Sequence, residues 1–280
     1  GDYIMSYFKY FFALITALAN ILLIADTINI STTGSDETGD GTLENPYATI
    51  QMGVDLSNDS DTVFVFDGIY EGGVIIDAKS ISLIGESREE SKINIIRSTP
   101  QISVLNVIND TVRIENFRIK RGSSNRGGGL YSENSNVIIS NTDFSHNISS
   151  GNGGAIFAIN STMKVHNSLF FLNSSDSLGG SIYSKETFLE LDGLEVRNNS
   201  SIAGGAVGVD TLSKCIFNNS FFLSSLIIMF SELISFSVIS LVTLPIAPLP
   251  GSQAIFSFLF KEIFKRTLSI YSFVISWLII

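Results

Sequence analysis

The chain has 280 residues and a formal net charge of −10. This length allows one elongated domain with additional segments, and Lys and Arg form no cluster before residue 260, which argues against a nucleic-acid partner. One cysteine, Cys215, and two histidines, His146 and His166, exclude an internal disulfide and a usual zinc site. We therefore predict neither a bound metal nor a cofactor.

Residues 1–25 are predicted to form a signal peptide. An apolar run of 15 residues, Phe11 to Ala25, follows Lys9, the single positive charge of the segment. The run is short for a membrane span, which needs about 20 residues, and the tripeptide Ala-Leu-Ala at 17–19 fits the small-x-small pattern of a cleavage site. An uncleaved N-terminal anchor is the alternative.

The next segment is predicted to contain a loop and a capping helix. Residues 26–45 are polar and predict a solvated loop; calcium is the less favoured alternative, because the acidic spacing matches no EF-hand or nonapeptide loop. Thr49 is predicted to cap a short helix whose apolar residues Ile50, Met52 and Val54 mark its buried side. Such a helix would cover the open end of a stacked structure, which otherwise exposes strand edges and core.

Short apolar runs separated by Ser, Asn, Gly and charged residues predict a series of strands after this helix. In the repeated part of the chain, no segment of twelve residues carries an i, i+3, i+4 apolar stripe, so helical repeats are not expected. The predicted strands are 62–66, 74–76, 81–85, 93–96, 102–105, 112–114, 137–139, 163–165 and 189–191.

Two motifs recur in register between residues 127 and 199. A glycine pair followed by small and apolar residues returns after 26, 26 and 25 residues, and a Phe/Val-x-x-Asn motif begins 17 residues after each of the first three pairs. The glycine pairs are Gly127-Gly128, Gly153-Gly154, Gly179-Gly180 and, more loosely, Gly204-Gly205; the second motif is Phe144-x-x-Asn147, Phe170-x-x-Asn173 and Val196-x-x-Asn199. A fixed period of this size indicates a stacked-repeat architecture.

A unit of about 26 residues holds three short strands and three corners, and it must stack on its neighbours to bury its apolar side. Equivalent residues then lie over one another in parallel strands about 4.8 Å apart. The expected columns are Leu130–Ile156–Ile182, Phe144–Phe170 and Asn147–Asn173. Aligned Asn side chains can form a hydrogen-bonded ladder, and paired glycines suit a corner with a left-handed residue or a close backbone contact.

The unit that begins at Gly204 departs from this spacing. Only about 12 residues separate its glycines from Ile216-Phe217-Asn218-Asn219. If these residues correspond to the second motif, one strand or corner of the last unit is shortened.

With these motifs, the chain resembles the polymorphic outer-membrane-protein repeat, in which GGAI-type glycine motifs alternate with FxxN. That repeat belongs to right-handed parallel β-helices of the pectin-lyase-like kind. The order NPYATIQ…VFVFDGIY between residues 45 and 70 is similar to the opening of pectin-lyase-like β-helices, where a helix plugs the first coil. The resemblance implies an all-β fold: a right-handed parallel β-helix solenoid over residues 26–219 with a short N-terminal capping helix.

Residues 220–280 are predicted to form a hydrophobic and possibly helical C-terminal tail. Phe221 to Leu244 is an apolar run of 24 residues with one charge, Glu232, and is long enough to cross a bilayer. The alternative is a mistranslated region without an evolved fold.

No arrangement of acidic residues predicts an active site. Carbohydrate hydrolysis needs two carboxylates at a set separation, and the acids of the repeat region share no register, except that Glu133 and Lys185 fall in one column. We therefore predict no catalytic residue and favour a non-catalytic, secreted or membrane-anchored cell-surface protein that binds glycans or proteins, as in adhesion. The alternative is a degenerate pectin-lyase-like polysaccharide lyase or hydrolase.

Overall fold

The computed structural model describes residues 7, 9–11, 25–88, 91–94, 105–210, 212–223, 228–229 and 234–236. Most of the predicted signal peptide and of the predicted C-terminal tail therefore lies outside the described residues. Side chains are described for the same ranges except 91–94, 221–223, 228–229 and 234–236.

One helix, α1 (Ile50–Leu56), caps the N-terminal end of the fold. Thr49 is its N-cap, and the Thr49 hydroxyl accepts a hydrogen bond from the Met52 amide at 3.3 Å, as predicted. The buried side of α1 is formed by Ile50, Gly53 and Val54, whereas Met52 is only half-buried. An added Cβ on Gly53 would lie 2.6 Å from Ile30 Cδ1, so the glycine lets the helix approach the first strand closely.

Apart from residues 7 and 9–11, which are helical, the remaining described elements are strands, and they form four sheets in which every pair is parallel. Sheet A contains β1 (Thr27–Ile30), β2 (Thr62–Val65), β5 (Ser82–Gly85), β8 (Thr111–Glu115), β12 (Asn136–Ser140), β16 (Thr162–His166), β20 (Phe188–Asp192), β23 (Lys214–Asn218) and β26 (Ile234–Phe236). Sheet B contains β3 (Gly68–Glu71), β6 (Ser91–Asn94), β9 (Arg118–Lys120), β13 (Asp143–Ser145), β17 (Leu169–Phe171), β21 (Glu195–Arg197) and β24 (Phe221–Leu223).

Sheet C contains β4 (Val74–Asp77), β7 (Leu105–Ile108), β11 (Leu130–Glu133), β15 (Ile156–Ile159), β19 (Ile182–Lys185), β22 (Val207–Val209) and β25 (Ile228–Met229). Sheet D is short and contains β10 (Ser123–Arg126), β14 (Ile148–Asn152) and β18 (Ser174–Ser175). The chain passes from sheet A to B, then through D where it exists, to C and back to A. The fold is therefore an all-β parallel solenoid, as the repeat predicted.

The predicted columns are confirmed. Ile156 pairs with Leu130 on one side and with Ile182 on the other, and all three side chains are fully buried. The rings of Phe144 and Phe170 stack with centroids 5.0 Å apart and an angle of 2° between their planes. These contacts place one continuous apolar core inside the coils.

The Asn ladder is also present, and it is buried. Asn147 Nδ2 donates to Asn173 Oδ1 at 3.0 Å, and Asn173 Nδ2 donates to Asn199 Oδ1 at 2.9 Å. Each acceptor oxygen also receives the backbone amide of the preceding Asn, at 3.0 and 2.8 Å. The ladder thus satisfies backbone amides at a corner that sheet pairing does not reach.

The two glycines of each pair have different roles. Gly153 has φ +69°, and an added Cβ would overlap the carbonyl oxygen of Ile156. Gly154 faces the next coil, where an added Cβ would overlap the carbonyl oxygen of Gly180. The first position therefore needs a left-handed residue, and the second needs close contact between coils.

Two details differ from the sequence prediction. The repeat unit contains up to four strands rather than three, because sheet D inserts between the FxxN motif and the glycines. The last unit is not shortened: Phe217 pairs with Leu191, and the partner of Val196 is Phe222. Cys215 and Phe217 alternate along β23 and both point into the core, which sets this register. The residues at 216–219 that resemble the Phe-x-x-Asn motif therefore belong to sheet A and not to sheet B.

Strand pairing also continues beyond residue 219. The first residues of the apolar run at 221–244 form β24, which pairs with β21, and β25 and β26 extend sheets C and A. In the earlier part of the chain, the strand predicted at 102–105 begins at Leu105, and residues 102–104 lie outside the described part.

Candidate ligand-binding groove

A polar groove lies at the corner where the chain leaves sheet C and enters sheet A. Each of three successive coils places there an Asn with positive φ, a small buried polar residue and the first residue of a sheet A strand. The groove has a volume of about 650 Å³ and is lined by Ser80, Asn109, Asp110, Thr111, Asn134, Ser135, Asn136, Asn160, Ser161, Thr162 and Glu186. Asn fits the corner because its short polar side chain tolerates the left-handed region.

The floor of the groove belongs to a ladder of buried hydroxyl groups. Ser135 Oγ accepts the Asp110 amide at 3.1 Å, Ser161 Oγ accepts the Ser135 amide at 3.2 Å, and Thr187 Oγ1 accepts the Ser161 amide at 3.3 Å. Each of these hydroxyls also donates to the carbonyl oxygen two residues upstream, at 2.7 to 2.8 Å. Ser213 accepts the Thr187 amide at 3.0 Å and continues the ladder.

Asp110 occupies the same ladder position but carries a carboxylate. Its Oδ1 accepts the Lys79 amide, as the hydroxyls accept theirs, and its Oδ2 has no partner among the described residues. A carboxylate accepts but cannot donate unless it is protonated, so the second contact of the ladder is not made. Burial raises the pKa of Asp110, and the negative charges of Asp77 and Asp59 raise it further, against the lowering effect of the Lys79 amide.

The walls of the groove present amide and hydroxyl groups at a regular spacing. Thr111, Asn136 and Thr162 pair in one column along sheet A, and Asn134 Nδ2 donates to Asn109 Oδ1 at 3.3 Å on the opposite wall. Both group types can donate and accept hydrogen bonds, as sugar hydroxyls do. This lining therefore suits a polyhydroxylated ligand lying along the stack of coils.

The two carboxylates that line the groove belong to coils three steps apart in the stack. Among the lining residues, the acids are Asp110 and Glu186, and Glu186 aligns with the Asn corner three coils further on. Three steps of about 4.8 Å separate these backbone positions by about 14 Å. Carboxylate pairs in glycoside hydrolases stand roughly 5 to 9.5 Å apart.

An aromatic column lies on the outer face of sheet C. Tyr131, Phe157 and Tyr183 stack with centroid distances of 5.8 and 5.6 Å, and the Arg126 guanidinium lies 5.4 Å from the Phe157 ring centre. Phe157 and Tyr183 are almost buried, whereas Tyr131 is half-buried and donates its hydroxyl to Glu133 at 2.7 Å. Burial raises the pKa of both tyrosines, so they are neutral phenols at physiological pH.

Two acidic residues of the repeat region form ion pairs at separate places in the solenoid. Asp143 is buried and forms ion pairs with Arg88 and Arg118. Glu190 lies 3.1 Å from Lys164. Glu133 and Lys185 share a column of sheet C, separated by Ile159, as predicted.

The groove itself was not predicted, although the sequence contains its signal. The tripeptides Asn-Asp-Thr at 109–111, Asn-Ser-Asn at 134–136 and Asn-Ser-Thr at 160–162 recur at the period of the glycine pairs. They form a third motif in register with the first two. Its outward position could not be recognised before the corner conformation was known.

Within the described ranges, no group of three or more His, Cys, Asp or Glu side chains is placed to hold a metal ion. The described part of the chain also contains no helix long and apolar enough to cross a membrane.

Comparison with known proteins identifies the repeat. Residues 141–159 match the family model of the Chlamydia polymorphic membrane protein repeat, and this stretch contains Phe144, Asn147 and the pair Gly153-Gly154. The protein is thus a parallel β-solenoid in which one stretch, residues 141–159, is similar to this repeat. No curated protein sequence matches the chain at a significant level.

Several solved structures align with part of the chain. The pectin methylesterase PemA from Erwinia chrysanthemi aligns with 73% of this chain and 66% of its own, just under two thirds, with 11% identity and a TM-score of 0.47. Pectin methylesterase from Aspergillus niger aligns with 75% and 85% of the two chains, with 16% identity and a TM-score of 0.46. A rhamnogalacturonan lyase aligns with 76% and 66%, with 13% identity and a TM-score of 0.36. Because these TM-scores lie below 0.5, the fold assignment rests on the strand pairing of this chain.

Proposed function

We propose that this β-solenoid is a cell-surface protein that binds glycans without chemical turnover, and that the polar groove is its binding surface. The observation that carries the proposal is the groove itself, a wide and shallow surface depression lined by amide and hydroxyl groups from successive coils. The surface location is supported by the match of residues 141–159 to a repeat of a membrane-protein family. Secretion and membrane anchoring rest on residues 1–25 and 220–280 and remain predictions.

Binding without catalysis is favoured by the chemistry of the groove. Its lining combines neutral polar groups with two carboxylates whose backbone positions are about 14 Å apart. No observation on the described residues favours the alternative of a polysaccharide hydrolase or lyase over binding.

The test is a glycan array probed with the full chain, followed by calorimetry with each glycan that is retained. The groove variant carries Asn136→Ala and Thr162→Ala, both on the lining. The control variant carries Ser140→Ala and His166→Ala, at the other end of the same two strands. We expect the groove variant to bind roughly tenfold or more weakly, because each lost hydrogen bond contributes about 1 kcal/mol. Absence of any retained glycan, or equal losses in both variants, would contradict the proposal.

A further inference from the structure

The groove has an asymmetric distribution of charge. None of its described lining residues is Lys or Arg, whereas Asp110 and Glu186 are both acidic. Asp110 is 6% exposed, so its charge is poorly screened by water. Asp59 adds a further carboxylate at this end of the groove, where its Oδ1 accepts the amide of the lining residue Ser80 at 2.8 Å, and the charges of Asp77 and Asp59 contribute to the raised pKa of Asp110.

The nearest cations are directed to other partners. Lys79 Nζ donates to the carbonyl oxygens of Val54 and Asp55, at 2.7 and 2.6 Å, and so contacts the end of α1. Lys185 Nζ lies 3.7 Å from Glu186 Oε1 and offsets part of that charge at the far end.

On the sheet A side, Arg113 forms an ion pair with Glu115 at 2.5 Å. The described surroundings of the groove therefore leave Asp110 without a neutralising side chain. An anionic group entering the groove would meet a poorly screened negative charge at its floor.

We propose that the groove selects uncharged sugar residues and rejects uronic acids and other anionic sugars, and that Asp110 is the main source of this discrimination. The inference rests on the proposed glycan-binding function and names its ligand class. The neutral Asn, Ser and Thr groups supply the contacts with sugar hydroxyls, and Asp110 acts through its field. Glu186 adds a weaker contribution because Lys185 lies beside it and because its side chain is exposed to solvent.

The chain offers a conservative variant for the test. Asp110→Ser removes the carboxylate and introduces the side chain present at the next two positions of the same ladder, Ser135 and Ser161. We therefore expect this variant to fold. Asp110→Asn removes the charge with nearly the same shape and serves as a second variant, and Glu186→Gln is the matched substitution at the other end of the groove.

The probes are oligogalacturonides of one length in two forms, the free acid and the full methyl ester, which differ in charge but share the same backbone. Calorimetry with the full chain at neutral pH and low salt is expected to give at least tenfold tighter binding of the ester. Asp110→Ser and Asp110→Asn should tighten binding of the acid by roughly tenfold relative to binding of the ester, so the acid-to-ester affinity ratio is the quantity compared. Glu186→Gln should tighten binding of the acid by a smaller factor. Added salt should reduce the difference in affinity between ester and acid in the unmodified protein, because salt screens the repulsion.

Equal or tighter binding of the acid by the unmodified protein would overturn the inference, and so would an unchanged acid-to-ester ratio in both Asp110 variants. Where the array retains a different neutral glycan, the same comparison uses that glycan and its C6-oxidised form, in which the primary alcohol has become a carboxylate. If no glycan binds, the proposed function itself fails. If glycans bind through Asn136 and Thr162 without charge discrimination, the ligand class alone is wrong.

Discussion

Two groups of coils build the same three main sheets, A, B and C, but they use different residues at their corners. The later group spans residues 127–199 and the earlier group spans residues 62–120. The later coils repeat Gly, Phe, Asn and hydroxyl residues at fixed positions, so side chains form ladders along the stack. The earlier coils share the apolar interior, but the sheet C to sheet A corner at 78–81 is longer, and Ser82 pairs with Arg113 rather than with Thr111.

This difference shows that two separate requirements are met in the solenoid. Alternating apolar residues are sufficient for parallel pairing, because every coil buries its inner face against its neighbours. Corners that repeat from coil to coil need more than apolar residues, because their backbone amides have no partners in the sheets. The ladders of Asn and hydroxyl side chains accept hydrogen bonds from these amides. Asp110 lies at the junction of the two regions, where the hydroxyl ladder ends in a carboxylate.

The largest expected effect is the difference in stability loss between a glycine substitution in the later coils and one in the earlier coils. Gly154→Ala places a Cβ against the backbone of Gly180, which cannot move without shifting a coil, so we expect a loss of roughly 3 kcal/mol or more in the free energy of unfolding. In the early coils, Gly68→Ala meets only side-chain atoms of Thr32 and Tyr70. We expect a loss below about 1.5 kcal/mol there, measured by urea unfolding. Equal losses would show that corner packing is not tighter in the repeat region.

The next effect compares a buried ladder with an exposed one. Asn173→Ala removes hydrogen bonds to Asn147, Asn199 and the carbonyl of Phe144 and leaves buried groups unpaired. We expect a loss of about 3 kcal/mol. Asn134→Gly keeps the positive φ but removes an exposed amide that bonds Asn109, and it should cost less than about 1 kcal/mol. Similar costs for the two variants would argue against the buried ladder as a source of stability.

A third experiment measures how the contribution of Asp110 to stability depends on pH. Because burial raises the pKa of Asp110 in the folded state above its ordinary value of 3.8, the folded protein binds its proton more tightly than the unfolded chain. This residue's contribution to stability is therefore present at acidic pH and is lost as pH rises from about 3.8 through the folded-state pKa. Asp110→Ser should remove this dependence and raise stability at neutral pH by roughly 1 kcal/mol. Thermal unfolding across pH measures both effects, and a steeper dependence in the variant would contradict the assignment.

The smallest effect concerns the outer face of sheet A in the regular coils. Lys164 and Glu190 form a partly exposed ion pair at 3.1 Å, and such pairs contribute little because water still hydrates and screens the charges. Lys164→Ala should change the free energy of unfolding by less than about 0.5 kcal/mol, and this difference should vanish in high salt. A loss near that of Asn173→Ala would mean that the outer face, and not the interior, holds the coils in register.

The sequence predicted those parts of the fold in which the same residue type recurs at a constant spacing. The columns of Leu130, Phe144 and Asn147 follow from repetition alone, because residues about 26 positions apart can stack only if each coil has the same length. The last unit shows where this reasoning fails. Phe217 and Asn218 have the residue types of the Phe-x-x-Asn motif. However, Cys215 and Phe217 are the buried residues of a sheet A strand, so this segment does not belong to sheet B, where the motif lies.

Amino-acid order by itself determined that this chain stacks as a parallel solenoid, since glycine pairs and Asn residues at a constant period have no comparable use in a non-repeating fold. Only the tertiary structure decided which polar residues face outward as a groove and which lie inside as ladders. Asn134 and Asn147 are the same residue type thirteen positions apart, yet one lines the groove and the other is fully buried. The physical reason is that a side chain's direction at a corner depends on the local backbone and on the coils above and below, which the sequence of a single unit does not contain.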